Sequence, residues 1–324
     1  MKRKFLFTLT SVLLCATLFT ACTNTNSKAK FYGYWNYDAE IAAEGEETLV
    51  YTVTSDTNEP LKGISSDYTV QYTQGIYTTV LKTETVEGKA VYRYETNFSI
   101  NVTFEYGGET VTHTDETKTW VQFEKSSEVY FRPIASHKEF VSHSPSNTSA
   151  GSLESCYQKF EYSVDIKYNG DVTKGETTVK TGATETSRSF GIDTKKYTYI
   201  DPEQLYFSVR GINPTGAAVN TTLLNYNPFT ETVQEVKVSF GTADADAFQF
   251  SKDGGEAKAH QIAYYPVTLS VNEKNPGPSK TLWVAKCENA KTNEYRNVIL
   301  QMETPLAYGM GSLIYKLTSA NFSK

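Results

Sequence analysis

Basic residues are in the minority here: 31 Lys and Arg stand against 37 Asp and Glu, a net charge of −6. A general nucleic-acid binder needs clustered Lys and Arg to displace counterions, so no nucleic-acid partner is expected. Cysteine is scarce, four residues in 324, with no CxxC pair and no Cys/His cluster, which argues against a structural zinc site. Methionine (3) and proline (10) are also few. Beyond residue 21 no apolar run has the length that a membrane-spanning helix needs. There is no phosphate-binding glycine loop and no dinucleotide fingerprint, so no cofactor is expected. Aromatic residues, by contrast, are abundant: 23 Tyr, 17 Phe and 3 Trp make up 13% of the chain, within 39% hydrophobic residues. That apolar mass suffices for one large core or two ordinary ones and excludes wholesale disorder.

The first residues read as an address. Lys2, Arg3 and Lys4 precede residues 5–21, which carry no charge, and a basic start before a short apolar core is the pattern of a secretory signal. The core ends in Phe19-Thr20-Ala21-Cys22. This resembles the lipobox of bacterial lipoproteins, with Phe19 where that family usually has Leu. The resemblance implies a signal peptide over 1–21 and a diacylated Cys22 as the new N-terminus. It also implies a polar lipidated tether over 22–30 and a body from 31 to 324, exported and anchored to the cell membrane or outer membrane. Thr23 stands where inner-membrane retention would typically place Asp, which favours the outer membrane if the source has one. Processing before Cys22 leaves 28 basic against 37 acidic residues, a net charge of −9. Of the other cysteines, Cys15 leaves with the signal, so Cys156 and Cys287 remain. They could form a disulfide, worth roughly 5 kcal/mol in the chain-entropy model, or stay as two buried thiols.

The dominant pattern in the body has a period of two. From Tyr92 to Tyr106 one parity holds Tyr92, Tyr94, Thr96, Phe98, Ile100, Val102, Phe104 and Tyr106, and the other holds only polar residues. A helix cannot use that alternation. Gly107-Gly108 then supplies a turn, with residues 109–123 returning as partner strand. Phe160, Tyr162, Val164, Ile166 and Tyr168 repeat the scheme before Asn169-Gly170. Further strands are expected at 49–54, 76–86, 128–134, 232–240, 262–271, 281–287, 295–303 and 312–318, with a breaker at Asn275-Pro276-Gly277-Pro278. One short helix is expected over 202–210: Asp201 caps it, Pro202 opens it, Gln204 can close a capping box and Gly211 ends it. Phe31, Tyr32, Tyr34, Trp35 and Tyr37 are expected to begin the fold as an edge strand.

Fifteen extended residues span about 50 Å, and a strand of that length must coil. The fold class is therefore all-β, a long curved antiparallel sheet, half-barrel or barrel-like, with a short helix. The geometry is similar to that of the half-barrel carrier proteins of bacterial envelopes, which close an open apolar sheet with a short helix. The alternative is two β-sandwich domains dividing near 212–230.

Chemistry-bearing constellations are weak, and neither catalytic nor metal-ligating residues are assigned. His137, Glu139 and His143 share a strand face, but the two histidines would lie about 20 Å apart along it. His113 and Asp115 are close enough to pair. Gly309-Met310-Gly311-Ser312 lacks the second flanking Gly of a nucleophile elbow. Asp244, Asp246, Asp253 and Glu256 do not follow a calcium loop. The chain is thus read as a non-enzymatic binding protein holding an apolar or amphipathic ligand, a lipid or hydrophobic small molecule. The expected groove lining is Tyr94, Phe98, Ile100, Phe104, Tyr106, Tyr162 and Val164. The alternative function is a surface structural, adhesion or glycan-binding lipoprotein.

Overall fold

The computed structural model describes residues 28–36, 46–56, 61–63, 67–126, 130–146, 150–212, 214, 219–271, 278–286, 294–306 and 309–322. The leader, Cys22, Tyr37, residues 275–277 and Cys287 lie outside the described residues.

Long hairpins come first: β1 (Glu46–Ser55), β2 (Leu61–Lys62), β3 (Thr69–Val86), β4 (Lys89–Tyr106) and β5 (Glu109–Glu124). β3 and β4 each run 18 residues, about 60 Å of extended chain. Two-residue turns join them to their partners: Glu87-Gly88 and Gly107-Gly108 have positive φ at both positions, which matches the right-handed strand twist. The alternation places Tyr92, Tyr94, Ile100, Val102 and Phe104 inside and leaves Asn97 and Glu105 exposed. β3 slips register against β4 between Thr73 and Ile76. There Gly75 lies so close to β1 that a Cβ would stand 2.5 Å from the Val53 carbonyl oxygen. The irregularity bends the strand where β1 packs on it.

β6 (Pro133–Pro145), β7 (Tyr157–Tyr168), β8 (Lys174–Thr181) and β9 (Thr184–Gly191) extend this sheet as successive antiparallel neighbours. The chain then crosses through β10 (Thr198–Tyr199), a 3-10 turn Pro202–Gln204 and α1 (Leu205–Val209). The C-terminal part contributes β11 (Asn220–Asn227), β12 (Thr232–Phe240), β13 (Asp244–Lys252) and β14 (Lys258–Val271). It ends with β15 (Lys280–Ala285), β16 (Ile299–Pro305) and β17 (Ser312–Phe322).

The 17 strands among the described residues belong to one hydrogen-bonded sheet. β13 to β17 form a closed five-stranded barrel, shut by the parallel pairs Ser251↔Ser319 and Lys252↔Ala320. β1 lies between β17 and β3 and carries the curved β3–β9 sheet away from the barrel, while β12, β11 and β10 branch from β14. The fold is therefore the curved, barrel-like all-β class. Two separate sandwiches do not form: β11 falls inside the expected boundary and pairs along its length with β12.

The largest core lies between the two arms. Leu81, Tyr92, Tyr94, Val121 and Phe123 of the curved sheet face Val238, Val267, Leu282 and Met302, with Phe207 and Val209 of α1 filling the space between. The residues around Trp35 differ from expectation. Phe31 makes only an isolated bridge to Ile212, and Gly33–Asn36 is a 3-10 turn that delivers Trp35, 1% exposed, against Tyr92, Phe131 and Phe207. Burying that much aromatic surface outweighs continuing an edge strand. Tyr130-Phe131, expected within a strand, is a turn: Phe131 takes φ +59, its ring enters the core, and β6 starts at Pro133. Among the described residues no helix is long and apolar enough to cross a membrane.

Candidate functional site: a groove over the short helix

The helix forms where its signals place it. The Asp201 carboxylate accepts from the Glu203 amide (2.8 Å), Pro202 occupies the first turn, and the Gly211 amide closes the far end on the Ser208 carbonyl (3.0 Å). Gln204 does not complete a capping box; its side chain is fully buried and finds no polar partner. The other oxygen of Asp201 accepts from Ser136 Oγ (2.6 Å) and from the Tyr168 hydroxyl (2.6 Å), which ties the helix start to β6 and β7. Burial pushes the Asp201 carboxyl up to about 6, although the Ser136 and Tyr168 hydroxyls favour its ionised form. At the other end, Arg210 forks onto Glu47 of β1 through bonds of 2.5 and 2.9 Å.

Held at both ends, α1 presents two faces. Phe207 and Val209 point into the core, whereas Leu205 and Tyr206 form the floor of an open groove of about 370 Å³. Val164 and Ile166 of β7 make one wall; Tyr226 and Val236 of β11 and β12 make the other, and Val271 and Lys280 lie at the β14–β15 end. Phe229, 57% exposed at the β11–β12 turn, meets Tyr162 edge-on at 4.6 Å across the groove. Two cations line it. Lys138 pairs with Glu203 at 3.3 Å. Burial works to lower the Lys138 pKa, but the Glu203 carboxylate outweighs it and the net shift is upward. Lys280 donates to the Tyr206 hydroxyl and sits over its ring.

The expected groove lining divides sharply. Tyr94 stacks on Phe207 at 4.6 Å inside the main core. Ile100 and Phe104 are buried in a separate cluster, with Phe98 and Tyr106 packed against it. The aromatic stripe of β4 is thus covered by packed side chains, because α1 and the C-terminal strands fill the concave face. Val164 lines the observed groove, and Tyr162 lies at its edge through Phe229. Leu205, Tyr206, Val236, Val271 and Lys280 were not among the expected lining residues. Leu205 and Tyr206 lie in the short helix expected over 202–210, whereas no sequence signal singled out Val236, Val271 or Lys280.

A second cavity, about 530 Å³, lies near the start of the described chain, among Lys28, Phe31, Tyr130, Arg132, Asp171 and Tyr199. Its walls mix charge with aromatic surface. Cys156 is a free, fully buried thiol beside Ile100 and Phe104, and the other member of the possible disulfide, Cys287, lies outside the described residues.

The histidines are tied into local structure. The His143 ring bonds to Asp115 (Nδ1···Oδ1 2.9 Å) and stacks on His113 at 4.0 Å, so Asp115 pairs with His143 of the neighbouring β6 rather than with His113. Asp115 also accepts from the His143 amide (2.8 Å) and Ser142 Oγ (2.9 Å). Burial, followed by the nearby His143, lowers the His113 pKa. Neither cavity is lined by these residues. His137 bonds to Asp165 (2.8 Å), and the His260 ring contacts the Phe250 carbonyl (3.1 Å). Among the described residues no three His, Cys, Asp or Glu side chains converge as metal ligands.

No family model matches the sequence, and no curated protein matches it. Among solved structures, the chain is similar to a beta-barrel-like protein of domain of unknown function DUF1849 from Brucella abortus. The identity is 13% over 86% of this chain and 98% of that one, with a TM-score of 0.46.

Proposed function

We propose that this is an exported lipoprotein, acylated at Cys22, whose β-rich body binds an apolar or amphipathic ligand in the groove over α1. The observation that carries this reading is the groove itself: Val164, Ile166, Leu205, Val236 and Val271 line an open space of about 370 Å³, within the range of small-molecule sites. Burying apolar ligand surface there would contribute about 25 cal/mol per Å², while polar side chains such as Ser136, Asn225, Gln234 and Lys280 would fix orientation. Lys28 follows Cys22 by six positions, so an acyl anchor would hold the body within about 20 Å of the bilayer.

The test is a titration of the chain carrying Cys22→Ser with the neutral apolar fluorophore N-phenyl-1-naphthylamine. One saturable site is expected, and Val271→Trp, which fills the β14–β15 end, should weaken it at least tenfold. Absence of saturable binding rejects the groove. A second reading, a surface interaction or glycan-binding module, draws support from the packed interior under β4. It would take precedence on that result, since such a module binds through loops or exposed rings rather than an internal groove.

A further inference from the structure

We infer that the groove selects ligands with an anionic head, carboxylate or phosphate, and that Lys280 is the residue that reads it. This rests on the groove being a binding site and adds the chemistry of the ligand's polar end. Among the described ionisable side chains lining the groove, Lys138 and Glu203 neutralise each other at 3.3 Å, and the His137 ring is held by Asp165 at 2.8 Å. Lys280 remains. Its ammonium makes no ion pair with a described carboxylate; its hydrogen bond goes to the neutral Tyr206 hydroxyl, with the Tyr206 ring centre at 5.1 Å.

An ammonium in a partly desolvated wall without a counter-charge is poorly compensated, and an anion arriving there restores the pairing. The relay is favourable for a second reason. The Tyr206 oxygen accepts from Lys280, so its own proton is free to point into the groove as a second donor to the same head. Leu205, Val236 and Val271 supply the apolar surface beside it. The protein as a whole is acidic, at −6, so the positive site does not arise from a general basic surface.

The experiment uses the full chain carrying Cys22→Ser and a matched set of C12 probes below their micelle concentrations. These are dodecanoate, dodecyl phosphate, dodecanol and dodecyltrimethylammonium, each followed by displacement of N-phenyl-1-naphthylamine and by calorimetry. Dodecanoate and dodecyl phosphate should bind roughly tenfold or more tightly than dodecanol, with the cationic probe weakest and the preference shrinking as salt rises. Comparing the two anions separates a carboxylate site from a phosphate site. Lys280→Met should bring the anions level with dodecanol, and Lys280→Arg should retain the preference. Equal binding of dodecanol and the anions, or an anion preference that survives Lys280→Met, overturns the role of Lys280 and leaves the groove standing. If no C12 probe and no fluorophore binds, the groove falls and this inference falls with it.

Discussion

Arg210 and Glu47, 163 positions apart, form a two-bonded ion pair in the interior, with both side chains no more than 2% exposed. Arg210 follows the last residue of α1 and also donates to the Arg296 carbonyl (2.9 Å), so one guanidinium joins the helix to β1 and to the turn before β16. Burial works to lower the Arg210 pKa, yet Glu47 outweighs it and the net shift is upward. The pair locks the helix in the position that makes one of its faces core and the other groove floor.

Removing one partner leaves a buried charge uncompensated. Glu47→Gln or Arg210→Met should each cost about 3–5 kcal/mol in chemical denaturation. The double substitution Glu47→Gln with Arg210→Met should cost clearly less than the sum, which a double-mutant cycle reads directly. Additive losses would show that the pair does not act as a unit.

Asp201 gives a pH signature. Its carboxyl is raised to about 6 in the folded state, so the native protein takes up this proton before the unfolded chain does. The contribution is complete below the unfolded pKa near 4 and is lost as pH rises through about 6. Relative to Asp201→Asn, the unsubstituted protein should therefore gain about 2 kcal/mol on going from pH 7.5 to pH 4. Urea denaturation of both proteins across that range checks it; a difference that is flat or falls on acidification contradicts it.

Cys22 predicts a modification. Intact-mass analysis of the protein from its native membrane should show loss of residues 1–21 and addition of acyl groups, and Cys22→Ser should release it from the membrane fraction. An unprocessed, unmodified N-terminus would remove the anchor from the account.

Cys156 predicts indifference to reductant. Burial, with Glu154 nearby, raises its thiol pKa, and its sulfur packs in a core cluster. Thermal unfolding with and without dithiothreitol should give the same midpoint within about 1 °C, and Cys156 should react with thiol reagents only on unfolding. A large drop in midpoint on reduction would mean that a disulfide carries stability.

The fold was legible wherever one local rule governed. The unbroken alternation of Tyr92–Tyr106 fixed a long strand, paired glycines at 107–108 fixed its turn, and Asp201-Pro202 with Gly211 fixed the helix. Strands β9 and β13 escaped because their residues are mostly exposed, so no buried parity marks them. Phe131 and Trp35 escaped because each is placed by aromatic contacts with Phe207, 76 and 172 positions away in sequence. The groove was legible only in outline. A period of two shows that Tyr94 and Phe104 face inward, but it is silent on whether inward means ligand or packed core. That depends on what the C-terminal strands place opposite them, and Phe207 stacked on Tyr94 supplies the answer.

The most direct test of the ligand groove is photolabelling of the full chain carrying Cys22→Ser with an aliphatic diazirine probe, followed by peptide mapping. Labels on Leu205, Tyr206, Val236 and Val271, competed by excess unlabelled dodecanoate and reduced by Val271→Trp, are the expected result. Labels confined to the cavity around Phe31 and Tyr199, or none that compete, would contradict it.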